Sequence, residues 1–273
     1  MTDTQTAGRG GREPVRVPRI EDSTIAITGG TSGVGLATAQ RFLAHGAPRL
    51  ALLGRNAERG RAAVDTVGAD HPDARVEFVQ VDACDAAEAQ RAADEVASRL
   101  GAIDVLVNST TGSATPELLH EIPIDTIATM FTQQALAPLH MTRAALPQMR
   151  SRRGGVVINI ASDAAKVATP GESVLGAAMA AIVMFSRTAA MEAKRDGIRV
   201  NVLTPSLILG TPTGEHVMEG GFSAKLFGKA ITLAHLGVAR PDDLAGLIVF
   251  LAGPDAALIT GQAISVNGGI SAA

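Results

Sequence analysis

The chain has no tryptophan and no tyrosine. Without tyrosine, no phenol can give or take a proton anywhere in the molecule. One cysteine, Cys84, excludes an internal disulfide and fits a reducing cytoplasm. The histidines stand apart at His45, His71, His120, His140, His216 and His235, and no pair has metal-ligand spacing, which argues against a metal site. The formal net charge is −3, without the basic stripe that a nucleic-acid partner calls for. The longest apolar run, Val174 to Phe185, is too short to span a bilayer and reads as a buried helix.

What is present is a chain of 273 residues, 46% of them hydrophobic, enough for one α/β domain with a real core. Met1 to Pro18, rich in Thr, Gly, Arg and Pro, reads as a mobile tail rather than a signal peptide. Residues 1–20 are thus expected as a flexible tail and 21–273 as one domain. Short β-rich runs occur at Thr24–Thr28, Leu50–Leu53, Val76–Val81, Val105–Asn108, Val156–Ile160, Arg199–Leu203 and Ala263–Val266. Helical patterns lie between them at Gly35–Ala44, Glu58–Val67, Ala86–Leu100, Ile124–Arg150, Val174–Arg195 and Pro241–Leu251. This alternation predicts a parallel sheet covered by helices on both faces. Asp85, with Glu88 three residues on, has the spacing of a capping box, and His45-Gly46 closes the first helix. The one long irregular stretch, 207–234, is read as a lid over a site; the competing reading is a mobile surface insertion.

The first strand runs into Thr28-Gly29-Gly30-Thr31-Ser32-Gly33-Val34-Gly35 and then a helix. Gly29 permits the tight turn, Gly33 lets the backbone approach a pyrophosphate, and Gly35 lets the helix pack on the strand. The helix N-terminus adds free N–H groups and partial positive charge. The fold expected is a single Rossmann-type, doubly wound α/β domain of about seven strands. About twenty residues on, an NAD site places an acid against the ribose 2′-hydroxyl. Here the strand ends in Gly54-Arg55-Asn56, and Arg55 suits a 2′-phosphate, so NADP(H) is favoured over NAD(H); otherwise Arg55 is a solvated surface arginine. Asp82 is placed to read an adenine amino group, or else to cap a helix.

These residues resemble the short-chain dehydrogenase/reductase (SDR) family from Thr24 to Ala273. Thr28-Gly29-x-x-x-Gly33-x-Gly35 matches the family's TGxxxGxG, Gly197-Ile198-Arg199-Val200-Asn201 its GIRVN strand, and Gly261 through Gly269 its closing strand. Asn108-Ser109-Thr110-Thr111 keeps only the first residue of NNAG. With the glycines and Arg55, the expected cofactor-binding set comprises Thr31, Ser32, Val34, Asp82, Ala83, Asn108, Pro205 and Ile208. The family's catalytic set is Asn, Ser, Tyr and Lys. Ser162 matches the serine, but Leu175 stands at the tyrosine position, Met179 at the lysine position and Gln134 at the asparagine position.

Hydride reduction of a carbonyl builds negative charge on its oxygen, and Leu175 and Met179 supply neither proton nor cation. Loss of a general acid costs roughly 10²–10⁴ in rate. Spaced by four on one helical face, the pair dries the pocket. Ser162 polarises a carbonyl without protonating it. Asp163, Lys166 and Glu172 lie on the segment bordering the pocket and His120 in the loop after the fourth strand. Of these, Lys166 is the first choice as replacement cation and His120 as replacement acid, each with an ordinary surface role as its rival. Thr110 and Thr111 are expected near the nicotinamide ribose, where they would crowd it.

Three readings follow. The first is a catalytically degenerate subunit that keeps dinucleotide binding and assembles with an active SDR paralogue. The resemblance implies dimers or tetramers through Ile124–Arg150 and Val174–Arg195. The second is an active NADP(H)-dependent carbonyl/alcohol oxidoreductase with a proton path rebuilt around Ser162, Lys166 or His120. The third is a non-redox isomerase, lyase or cyclase. Met218, Phe222, Leu226 and Phe227 in 207–234 suggest an apolar small-molecule ligand. A cytoplasmic location, without membrane or nucleic-acid partners, is expected.

Overall fold

The computed structural model describes residues 16–273. Seven strands form one sheet: β1 (Thr24–Thr28), β2 (Arg49–Gly54), β3 (Arg75–Gln80), β4 (Val105–Asn108), β5 (Gly155–Ile160), β6 (Ile198–Pro205) and β7 (Ala263–Val266). All neighbours are parallel, in the order β3-β2-β1-β4-β5-β6-β7. The helices are α1 (Gly33–Ala44), α2 (Ala57–Gly68), α3 (Ala86–Leu100), α4 (Ile127–Ser151), α5 (Ser173–Ala193), α6 (Pro212–Met218), α7 (Gly221–Leu233) and α8 (Pro241–Ala252). This is the doubly wound Rossmann-type architecture that the alternating pattern predicts.

The period of two along each strand decides which helices cover which face. Ile25, Ile27, Leu50, Leu52, Val105 and Val107 join Phe42 of α1, Val67 of α2 and Leu244 and Ile248 of α8. Their neighbours Ala26, Ala51, Leu53 and Leu106 face the other way, onto Val96 of α3, Met141 of α4 and Ala190 of α5. Both faces are buried, so the strands read as near-continuous apolar runs.

Three local expectations need correction. The stretch 207–234 is not irregular: Thr211 caps α6 by accepting the Gly214 amide at 2.9 Å, Pro212 occupies the first turn, and α7 follows. Its ends are pinned, Ile208 bridging Ala239 and the Leu236 amide reaching the Gly268 carbonyl at 3.1 Å. The capping box is half formed: Asp85 accepts the Glu88 amide at 2.9 Å, but the Glu88 carboxylate accepts the Asp82 amide at 2.7 Å. Residues 1–15 of the expected tail lie outside the described residues, whereas Arg16, counted with it, is anchored. Its amide meets the Arg153 carbonyl at 2.9 Å and its guanidinium pairs with buried Asp104, which Arg152 also contacts.

The apolar run at 174–185 belongs to a longer helical segment. Ser173–Asp196 is long and apolar enough to cross a bilayer by length and composition, and half of its most apolar window is buried in the fold. Ala178, Ile182, Ser186 and Ala190 sit at 0–1% exposure, so the buried-helix reading fits its surroundings.

Candidate cofactor and substrate cleft

The carboxyl ends of β1 through β6 open onto one cavity of about 460 Å³. It sits where the strand order turns back between β1 and β4, so that the following chains leave for opposite faces and part the edge into a crevice. Gly29 has φ +75°, and a Cβ there would lie 2.3 Å from the Ser109 carbonyl oxygen. A Cβ on Gly35 would lie 2.2 Å from the Gly29 carbonyl oxygen. The loop thus closes on itself too tightly for any side chain, leaving Thr31, Ser32, Gly33 and Val34 to line the cavity. Gly35 acts by packing and does not reach it. Ser32, at the N-cap of α1, makes no side-chain cap, so first-turn amides stay available to an anion. This cradle fits the pyrophosphate of a dinucleotide.

Arg55, after β2, lines the same cavity, and so does Arg59 in the first turn of α2. Sequence reasoning passed over Arg59; its place four residues beyond Arg55 was the available signal. Asp82, Ala83 and Cys84 line the cavity after β3. Asp82 holds its own loop, accepting the Cys84 amide at 3.0 Å. Burial, reinforced by the Asp82 charge, pushes the Cys84 thiol above its usual pKa. Asn108 departs from expectation. It is 1% exposed and donates to the Asn159 side-chain oxygen at 2.8 Å, tying β4 to β5 beneath the cavity instead of lining it.

At the far end, Ser162, Leu175, Met179, Gln134, Pro205 and Ile208 share the lining. Ser162 Oγ accepts the Ala164 amide at 3.2 Å. Leu175 and Met179 are 7% and 8% exposed and present hydrocarbon and thioether to the cleft. Gln134 accepts the Gly112 amide at 3.1 Å and the Thr111 hydroxyl at 3.3 Å, bracing the loop that brings Thr110 and Thr111 to the cavity wall.

A family model described as short chain dehydrogenase matches residues 23–220. The chain belongs to the short-chain dehydrogenase family. It is 32% identical over 254 residues to a meso-2,3-butanediol dehydrogenase of Serratia marcescens, covering 93% of this chain and 96% of that protein. It is 33% identical over 251 residues to a D-threitol dehydrogenase of Mycolicibacterium smegmatis, covering 92% and 94%. A solved short-chain type dehydrogenase/reductase from Mycobacterium ulcerans superposes with a TM-score of 0.85 at 25% identity, covering 93% of this chain and 91% of that one. The family's enzymes are NAD(P)(H)-linked oxidoreductases, and the cradle described above is built for that class of cofactor.

Within this short-chain dehydrogenase, the two replacement groups favoured from sequence are elsewhere. The Lys166 ammonium is held by the Ser265 hydroxyl and, at 2.6 Å, by the Ala273 carbonyl, because the turn after Ser162 directs it toward β7. The His120 side chain is 77% exposed and lies outside the cavity lining. Asp163 is buried against Asn267, which donates to it at 3.0 Å. Of the bordering residues Asp163, Lys166 and Glu172, Glu172 is the one that lines the cavity. Burial pushes its pKa above the ordinary value, the Asp163 charge adds to that rise, and a hydrogen bond from Thr169 opposes both.

Proposed function

We propose that this protein is an NADP(H)-dependent oxidoreductase acting on the carbonyl or alcohol of an apolar small molecule. The reading rests on one observation: a single cavity carries the glycine cradle at one end and Ser162 with a protonatable carboxyl at the other. Gly29, Ser32, Gly33 and Val34 hold the pyrophosphate, and Arg55 with Arg59 engages a 2′-phosphate. When bound, the nicotinamide supplies or accepts the hydride. Ser162 donates a hydrogen bond to the substrate oxygen. Leu175 and Met179 exclude water from that oxygen, while Pro205 and Ile208 support the nicotinamide from the β6 side. The segment 207–234 covers the substrate, with Phe227 and Val217 on the cavity wall. The unpaired Cys84 agrees with a cytoplasmic location.

Calorimetric titration with NADPH and NADH, followed by NADPH consumption against a panel of cyclic and acyclic ketones, tests this. Binding with turnover lost on Ser162→Ala supports it; binding without turnover on any ketone overturns it. That second outcome favours a catalytically degenerate subunit assembling with an active paralogue, a reading supported by the apolar pair at Leu175 and Met179. Turnover to a product of unchanged oxidation state marks a non-redox isomerase, lyase or cyclase instead.

A further inference from the structure

The cavity lacks a phenol and an ammonium at its reacting end, yet it is not without an acid. Besides Glu172, its titratable lining side chains are Arg55, Arg59, Asp82 and Cys84. Those four follow β2 and β3, whereas Ser162 follows β5, three or four strands away in the sheet order. Glu172 immediately precedes α5, three residues before Leu175, and so enters from the same side as Leu175 and Met179. We infer that Glu172 is the proton donor of this site, replacing in function the missing phenol; the inference rests on the oxidoreductase reading above.

Burial of Glu172 favours its neutral form, whereas a hydrogen bond with Thr169 and its place at the N-cap of α5 favour the charged one. α5 contributes Leu175 and Met179, which carry no charge. Gly171 packs against the Phe222 ring of α7, so the turn holding Glu172 is closed over by an aromatic side chain. The Asp163 anion discourages a second negative charge nearby, although the Lys166 ammonium lies 3.9 Å from Asp163 and offsets it. Glu117, whose amide meets the Gly171 carbonyl at 2.8 Å, is a further carboxyl on this turn. The carboxyl retains partial contact with solvent, giving a route for reprotonation. The step balances simply. With a reduced dinucleotide bound, the carbonyl carbon would receive its hydride electron pair, leaving the dinucleotide oxidised; Glu172 would give its proton to the carbonyl oxygen and recover one from solvent.

The test uses the full chain with NADPH and α-tetralone, comparing wild type, Glu172→Gln and Glu172→Ala. Nicotinamide fluorescence first establishes that each variant binds NADPH within about twofold of wild type, which excludes a folding defect. Glu172→Gln should then lose at least about 100-fold in kcat. The activity of Glu172→Ala should be restored by added formate or acetate, a rescue that a structural role would not show. In wild type, kcat for reduction should fall as pH rises through the Glu172 midpoint, itself measured independently by carbon-13 NMR of labelled glutamate against the Gln variant. Turnover that survives in Glu172→Gln overturns this inference and leaves the oxidoreductase reading intact. NADPH binding with no wild-type turnover on any ketone overturns both.

Discussion

Asn108 on β4 donates to Asn159 on β5 at 2.8 Å, and Asn159 in turn donates to Ser186 of α5 at 2.8 Å. All three side chains are at most 1% exposed. This chain of buried amides links the middle of the sheet to the helix that carries Leu175 and Met179. Asn159→Ala removes the short acceptor of the Asn108 amide, leaving it only the long contacts to the Pro138 carbonyl at 3.5 Å and the Thr142 hydroxyl at 3.4 Å, and it removes the amide that donates to Ser186. Stability should drop by about 1–3 kcal/mol, read from urea unfolding midpoints at constant slope.

The glycine cradle gives a sharp contrast. Gly35→Ala would place its Cβ 2.2 Å from the Gly29 carbonyl oxygen, so NADPH binding should fall below detection in a calorimetric titration. Gly68→Ala, at the end of α2, meets nothing within 4 Å. It should bind NADPH normally and gain up to about 1 kcal/mol of stability through lower unfolded-state entropy.

Arg55 and Arg59 should together set cofactor preference. Arg55→Ala is expected to weaken NADPH binding about tenfold while NADH binding changes little, because only the former has a 2′-phosphate to lose. The difference should shrink as salt is raised, since Arg55 is exposed. Equal weakening for both cofactors would contradict the NADP(H) preference.

Leu175→Tyr combined with Met179→Lys puts a phenol and an ammonium on the face where the two side chains already line the cleft. Ketone reduction should rise about tenfold or more over wild type. Met179→Lys alone buries an unpaired cation in an 8%-exposed site and should lower the melting temperature without that gain.

Glu172 also makes stability depend on pH. Its folded pKa is raised above the ordinary value of 4.5, chiefly by burial. Between the unfolded and the folded pKa the native state holds more protons, so stability falls as pH rises through that window. The contribution is fully favourable below the unfolded pKa and lost above the folded one. Glu172→Gln should therefore flatten the curve, with wild type losing ground to it above pH 4.5, as thermal melts across pH 4–8 would show.

Much of this molecule is local information. The strand at Val105–Asn108, the helix at Ala86–Leu100 and the turn at Gly29 are each dictated by residues within a few positions, through alternation, capping and the freedom of glycine at positive φ. The absence of tyrosine is likewise complete in the sequence. Which titratable group lines the cleft beside Ser162 was not legible there, and spacing alone put Lys166 and His120 ahead of Glu172. Tertiary packing separated them: β7 and the last residues hold Lys166, His120 stays exposed outside the lining, and Glu172 lines the cleft beside a turn where Gly171 packs on Phe222 of α7. Local sequence decides elements because propensity and periodicity act over a few residues. Contacts between residues a hundred positions apart, such as Lys166 with Ser265, exist only once the sheet has brought their strands together.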